Sequence, residues 1–83
     1  MKRTDRLNSL YECLERDLKA IHDLKELVLH DGLDEVRKTK VDDPDSTVIL
    51  QKQALRQLLR RMKELSTQED RIMMEIHEKL NNV

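Results

Sequence analysis

The 83-residue chain contains no phenylalanine or tryptophan and only one glycine, one proline, one tyrosine and one cysteine. Globular α/β and all-β domains normally have more glycine, more aromatic residues and more β-branched runs, so the composition disfavours both classes. The scarcity of glycine and proline also argues against intrinsic disorder. Because Cys13 is the single cysteine, it cannot form an internal disulfide, which favours a reducing compartment, most simply the cytoplasm.

The chain also lacks a charge excess and a long apolar run. Charged residues make up 40% of the sequence, yet the formal net charge is only -1. A nucleic-acid-binding module would normally carry a clear positive excess, so we expect no nucleic-acid partner. No apolar run approaches the ~20 residues needed to span a bilayer, so we expect no membrane insertion. The mixture is typical of long helices with narrow apolar stripes.

Apolar residues recur at seven-residue spacing in two parts of the chain. The first series is Leu7, Leu14, Ile21 and Val28. The second is Leu55, Met62 and Ile76, with Leu58, Leu65 and Ile72 beside it. Such spacing places the side chains on one side of a helix, which then needs a partner helix to cover it. The sequence therefore predicts an all-α fold, an antiparallel helical hairpin similar to a coiled coil.

We expect this hairpin to be a single domain over residues 1–83, with the first helix covering about 4–31. Gly32 is the only glycine, and a helix that ends there would bring Val28 and Leu33 into the hydrophobic contact of a Schellman motif. The sequence therefore predicts an end or a kink at Asp31-Gly32, followed by a short helical extension over 33–40.

The start of the second helix has a stronger local signal. After a predicted turn at 41–43, Asp43 occupies the N-cap position and Pro44 the first helical position, where its missing amide hydrogen costs nothing. The pattern then continues without a helix breaker, which predicts a second helix over about 44–80.

The polar residues inside the two stripes suggest a register for the hairpin. Folding the chain about residues 41–42 pairs Val28 with Leu55 and places Asp17 opposite Ser66. A polar group facing a polar group avoids the cost of burying it against leucine. We therefore predict this register.

The apolar stripe of the first helix is wider than a two-stranded coiled coil requires. One hairpin would leave its outer columns exposed, which predicts association with a helical partner protein or with a second copy. The expected arrangement is a homodimer in which two hairpins pair antiparallel and form a four-helix bundle. The predicted interface residues are Tyr11, Cys13, Leu18, Leu27, Leu59, Met73, Ile76 and Leu80.

Basic residues recur at helical spacing on the second predicted helix. These residues, which we call the basic ridge, are Lys52, Arg56, Arg60 and Lys63. A solvated helix face explains the pattern, and docking of an acidic partner protein is the alternative.

No residue pattern in the chain predicts catalysis, a cofactor or a metal site. His22, His30 and His77 lack the three or four converging ligands of a zinc site and fall in no metal-binding motif. Cys13 has no argued base beside it, so we interpret it as a small interfacial apolar residue. The alternative role of Cys13 is a disulfide across a two-fold axis in oxidised samples.

The Asp43-Pro44 turn that opens a helix resembles an element of the small all-helical chorismate mutases, which are dimers of about this length. The resemblance implies an arginine where this chain has Ser46, and an arginine–lysine array on the first helix that this chain lacks. We therefore expect no enzyme, and a small all-α enzyme of this kind stays a remote alternative.

The patterns favour a non-catalytic protein–protein interaction module that acts by helix packing, such as a small adaptor, chaperone or assembly subunit. In size, charge and hairpin layout the chain is similar to small flagellar and type III export chaperones, although this is an analogy without a diagnostic motif. The alternative is a regulatory protein that sequesters a target by donating a helix.

Overall fold

A computed structural model describes residues 3–83 of the chain. They form two long helices, α1 (Arg3–Lys38) and α2 (Pro44–Leu80), which pack against each other as a hairpin. Over residues 3–83 there is no strand, which confirms the predicted all-α hairpin. Neither helix contains a segment that is apolar enough, over a sufficient length, to cross a membrane. Met1 and Lys2 of the predicted domain lie outside the described residues.

Helix α2 begins where the sequence predicts, because Asp43 caps it. The Asp43 carboxylate accepts hydrogen bonds from the backbone amides of Asp45 and Ser46, both at 3.3 Å, and from the Ser46 hydroxyl at 2.7 Å. Pro44 is the first helical residue. The cap thus satisfies amides that the first turn of a helix leaves without partners.

Helix α1 continues through Gly32 to Lys38, so the predicted helix end at Asp31-Gly32 is wrong. Gly32 does not adopt the left-handed conformation of a C-terminal cap, since no glycine in the described chain has a positive φ. It is instead the one buried residue of α1 and lies against Leu58 of α2. The predicted extension over 33–40 is the last part of the same helix.

The contacts between the helices also correct the predicted register. Gly32 lies opposite Leu58, and Lys25 Nζ is 3.8 Å from Glu69 Oε1. The predicted register would have placed Gly32 opposite Gln51 instead. The two helices are therefore shifted by roughly two to three helical turns relative to that prediction.

The connector between the helices explains the shift. The Thr47 hydroxyl accepts a hydrogen bond from the Val41 amide at 3.0 Å and lies 2.9 Å from the Val41 carbonyl oxygen. The connector thus runs alongside the first turns of α2, which extend beyond the end of α1. A 37-residue helix is ~55 Å long, whereas the hairpin measures 66 × 16 × 8 Å. The extra length is the overhang of the two staggered helices.

The residues of α2 that face α1 recur every 3.6 positions on average instead of every 3.5. Those that are buried or half-buried in this stripe are Thr47, Gln51, Ala54, Leu58, Met62, Leu65, Glu69, Ile72 and Ile76. The heptad assignment included Leu55, which is exposed. In a straight helix, residues spaced seven apart are rotated by about 20° relative to each other. A column with strict seven-residue spacing therefore turns away from the neighbouring helix within a few turns.

Candidate protein-interaction surface

Large apolar side chains remain exposed along the hairpin, because each helix covers only one stripe of the other. Leu58 is 4% exposed, whereas Tyr11 and Leu59 are 59% and 60% exposed. The hairpin exposes 6985 Å² in total. A compact monomer of its 9.9 kDa mass would expose roughly 5200 Å². The excess of about 1800 Å² on one chain is about twice the ~800 Å² that each partner buries in a standard protein–protein interface.

Many of these exposed residues share one face of the hairpin, which we call the open face. Lys25 and Glu69 fix its position, since their contact joins α1 to α2 on that side. Successive residues of an α-helix are rotated by about 100° about its axis. By this measure, the apolar residues of the open face lie within roughly 40° of the direction of Lys25 on α1, or within roughly 80° of the direction of Glu69 on α2. The exposed apolar residues of the open face are Tyr11, Leu29, Val48, Leu55, Leu59, Met73 and Leu80.

The Lys25–Glu69 ion pair lies in the middle of the open face. Its side chains are 24% and 28% exposed, so they are more covered than the apolar residues around them. Three of the seven apolar residues lie toward the free ends of the hairpin, namely Tyr11, Met73 and Leu80. The other four, Leu29, Val48, Leu55 and Leu59, lie toward the connector. The open face is thus apolar in both halves and charged at its centre.

The structure brings most of the predicted interface residues together on this face. Tyr11, Leu59, Met73 and Leu80 are exposed there, and Leu18 is half-buried one heptad before Lys25. Ile76 is half-buried in the contact between the two helices.

Two predicted interface residues, Cys13 and Leu27, lie on the other edge of α1. The adjoining edge of α2 carries Gln57 and Arg61, which makes that side of the hairpin more polar. Cys13 is half-buried, and its sulfur accepts a hydrogen bond from Arg16 Nη2 at 3.8 Å. These two residues are therefore not part of the open face.

Lys25 is the important residue that the sequence reasoning missed. Tyr11, Leu18 and Lys25 follow one another at seven-residue spacing, so a lysine stands where an apolar residue continues the column. A charge in such a column commonly fixes the register of packed helices. That interruption was the available signal.

The basic ridge, Lys52, Arg56, Arg60 and Lys63, is exposed on the side of α2 that faces away from α1. Over residues 3–83 no salt bridge involves these four side chains. The ridge therefore presents four uncompensated positive charges, separate from the open face.

The histidines pair locally with carboxylates. His22 Nε2 lies 3.1 Å from Glu26 Oε1, and His30 Nδ1 lies 3.4 Å from Asp31 Oδ1. In the described part of the chain, no three side chains among His, Cys, Asp and Glu come together in an arrangement that could hold a metal ion.

A hydrogen bond to Asp17 raises the pKa of Arg16 in the first half of α1, and the other shifted pKa values belong to contacts at the closed end of the hairpin. Hydrogen bonds from the Ser46 hydroxyl and the Asp45 amide lower the pKa of Asp43. The ion pair with Lys38, at 2.7 Å, lowers the pKa of Asp34 and raises that of Lys38. These shifts reflect the ion pair in the last turn of α1 and the hydrogen-bonded N-cap of α2.

The chain matches no known family, no curated protein and no solved structure in the three comparisons. Its function must therefore be inferred from the geometry of the hairpin, of which the open face is the most developed surface.

Proposed function

We propose that the protein is a non-catalytic interaction module that acts by helix packing, as a small adaptor, chaperone or assembly subunit. The open face is the observation that supports this proposal. It presents seven exposed large apolar residues on one side of the hairpin. Exposed apolar residues that group on one side of a protein commonly mark an interaction site.

The shape of the open face suits a helical partner. Two helices side by side form a groove, and a further helix or hairpin that lies in it completes a bundle. Burying one leucine-sized side chain stabilises an assembly by about 1.5–3 kcal/mol. A homodimer with the form of a four-helix bundle is the simplest such assembly, since two-fold pairing is the commonest closed symmetry. The proposal includes a cytoplasmic location, which the single cysteine favours.

The basic ridge supports a second candidate, a regulatory protein that sequesters an acidic target by donating a helix. Its four positive charges are exposed and have no salt-bridge partners over residues 3–83. Such a target would be attracted to α2 from the outside, and binding would weaken as salt is added.

A pair of matched variants tests the role of the open face. Leu59→Glu places a charge on this face, whereas Gln53→Glu makes the same change in charge at an exposed position on the outer side of α2. We expect wild type and Gln53→Glu to sediment with twice the 9.9 kDa chain mass, and Leu59→Glu to dissociate at higher concentration. A wild-type chain that stays a folded monomer at tens of micromolar would contradict self-association.

A pull-down from the native cell then separates the two candidate functions. A secreted or filament-forming client that is lost with Leu59→Glu supports the chaperone or assembly role. A transcription factor or kinase that is lost on neutralising the basic ridge supports the regulator.

A further inference from the structure

We propose that the open face binds a second copy of this chain about a two-fold axis parallel to the helices. In this dimer Lys25 of each copy faces Glu69 of the partner subunit. The inference rests on the proposed self-association and replaces the antiparallel pairing expected from the sequence with a parallel pairing of the two hairpins. It places both connectors at the same end of the dimer and packs α1 of each copy on α2 of the other.

The apolar residues of the open face match in this orientation. In the register set by Gly32 and Leu58, Tyr11 lies at about the same height as Leu80, and Leu29 at about the same height as Leu59. A two-fold axis along the helices keeps every residue at its own height. Tyr11 therefore meets Leu80 of the partner subunit, and Leu29 meets Leu59 of the partner subunit. Both contacts place an apolar residue against an apolar residue.

The Lys25–Glu69 ion pair favours a two-fold axis along the helices over a two-fold axis across them. With the axis along the helices, two lysines and two glutamates alternate around a square, so every neighbour has the opposite sign. With the axis across the helices, α1 would face α1 of the partner subunit, and Lys25 would lie over Lys25 of the partner subunit. Like charges that meet at a covered interface disfavour the wrong pairing. The Lys25–Glu69 pair therefore favours the first arrangement.

Both charged groups have bonding capacity left for a second copy. Their separation of 3.8 Å is longer than the 2.7–2.9 Å of a strong charge-assisted hydrogen bond. An ammonium group has three donors, and a carboxylate has two acceptor oxygens. Each group is about three-quarters covered within the hairpin, and a second hairpin would cover the rest. Pairing across the interface compensates the charges as water is removed.

Charge exchange tests the central pair. Lys25→Glu gives a hairpin with two negative charges at its centre, and Glu69→Lys gives one with two positive charges. We expect each variant alone to dimerise roughly tenfold or more weakly than wild type. An equimolar mixture, with one variant labelled with ¹⁵N, should recover the dimer and give mainly the mixed species in native mass spectrometry. A statistical mixture of the three dimers, or no recovery on mixing, would overturn the role of the pair.

A third variant and a control separate an effect on folding from an effect on assembly. Lys25→Glu combined with Glu69→Lys restores opposite charges both within and between hairpins, so it should dimerise like wild type. Circular dichroism on each single variant reports whether the hairpin still forms. A doubly exchanged variant that is helical but monomeric would overturn the inference.

The distance between the connectors tests the orientation. Asp42→Cys in a Cys13→Ser background carries one spin label on the exposed connector. Labels at the same end should be about 30 Å apart or less, because packed helix axes are 8–10 Å apart. Labels at opposite ends would be separated by nearly the full 66 Å length. The longer distance in a wild-type-like dimer would overturn the orientation alone, whereas a monomeric wild type would overturn the proposed self-association as well.

Discussion

Gly32 of α1 lies directly against Leu58 of α2. A Cβ atom at position 32 would lie 3.0 Å from Leu58 Cδ2 and 3.2 Å from Leu58 Cγ. Leu58 is the one large apolar side chain of the described residues that is buried. Leu58 is buried in this way because Gly32 has no side chain that would occupy the same space.

Gly32→Ala should destabilise the hairpin, even though alanine is the better helix former. Overpacking a close contact costs about 1–3 kcal/mol, whereas alanine in a helix interior gains about 1 kcal/mol over glycine. Since the added methyl meets the only buried leucine, we expect a net loss. Urea unfolding followed by circular dichroism measures the change.

Asp31→Ala is the control for this experiment, because Asp31 is the exposed neighbour of Gly32. Leu58→Ala alone should cost about 2–5 kcal/mol. In the variant that carries both Gly32→Ala and Leu58→Ala, the smaller residue at 58 makes room for the added methyl group. The loss of unfolding free energy in this variant should therefore be smaller than the sum of the two single losses. A Gly32→Ala protein more stable than wild type would show that the contact relaxes freely.

Leu58→Asp and Leu14→Asp should fail in different ways. Leu58→Asp buries an unpaired charge between the helices, so we expect it to abolish the helical signal. Leu14 points toward α2 like Gly32 but is 38% exposed, so Leu14→Asp leaves its charge partly in water and should give a less stable hairpin that is still helical. Circular dichroism and sedimentation on the same samples distinguish the two effects.

Glu12→Ala and Lys19→Ala serve as the silent pair for that comparison. Both residues are exposed on the outer side of α1. We expect their melting temperatures to stay close to that of wild type. Equal loss of stability in all four variants would mean that the assignment of the contact stripe is wrong.

Asp43 should make stability depend on acid pH. Its folded-state pKa is lowered from 3.8 by the Ser46 hydroxyl and the Asp45 amide. The cap's contribution is therefore fully present above the unfolded-state pKa and is lost as pH falls through the folded-state pKa. Asp43→Asn keeps a capping oxygen but cannot titrate, so its melting temperature should fall less between about pH 5 and 2.

Asp34→Asn provides the comparison, because the pKa of Asp34 is also lowered, by its ion pair with Lys38. It should remove a separate part of the same pH dependence. An acid transition that is unchanged in both variants would place the responsible carboxylates elsewhere in the chain.

Neutralising the basic ridge should leave the hairpin intact. Replacing Lys52, Arg56, Arg60 and Lys63 with glutamine changes only exposed side chains on the outer side of α2. Glutamine has a helix propensity close to that of lysine and arginine. We expect helicity and the dimer dissociation constant to stay the same, as measured by circular dichroism and sedimentation. A clear loss of dimer would show that the ridge contributes to self-association.

The sequence predicted the parts of the fold that depend on local signals. Asp43 and Pro44 mark the start of α2, and the structure has the helix over Pro44–Leu80, as expected. The apolar spacing was sufficient to predict two long helices that pack against each other. These features follow from capping chemistry and side-chain periodicity, which one chain carries in itself.

The end of α1 and the register depended on contacts that local patterns do not contain. A glycine suits both a helix end and a close helix contact, and at Gly32 the contact with Leu58 prevails. The register was expected from the pairing of Asp17 with Ser66 about a turn at 41–42, but hydrogen bonds between Val41 and Thr47 hold the connector alongside α2. The open face was only partly predictable, because the ion pair at its centre joins Lys25 to Glu69, which is remote in sequence.

The backbone trace of the hairpin is 8 Å thick over a length of 66 Å, so the two helix axes lie nearly in one plane. Helices that share a seven-residue repeat wind around each other, whereas a contact that recurs every 3.6 residues suits straight rods. The two helices therefore do not cross over each other, and the open face stays on the same side along the whole hairpin. Anything attached at the connector and anything attached at the free ends would be held apart at a fixed spacing and would point in a constant direction.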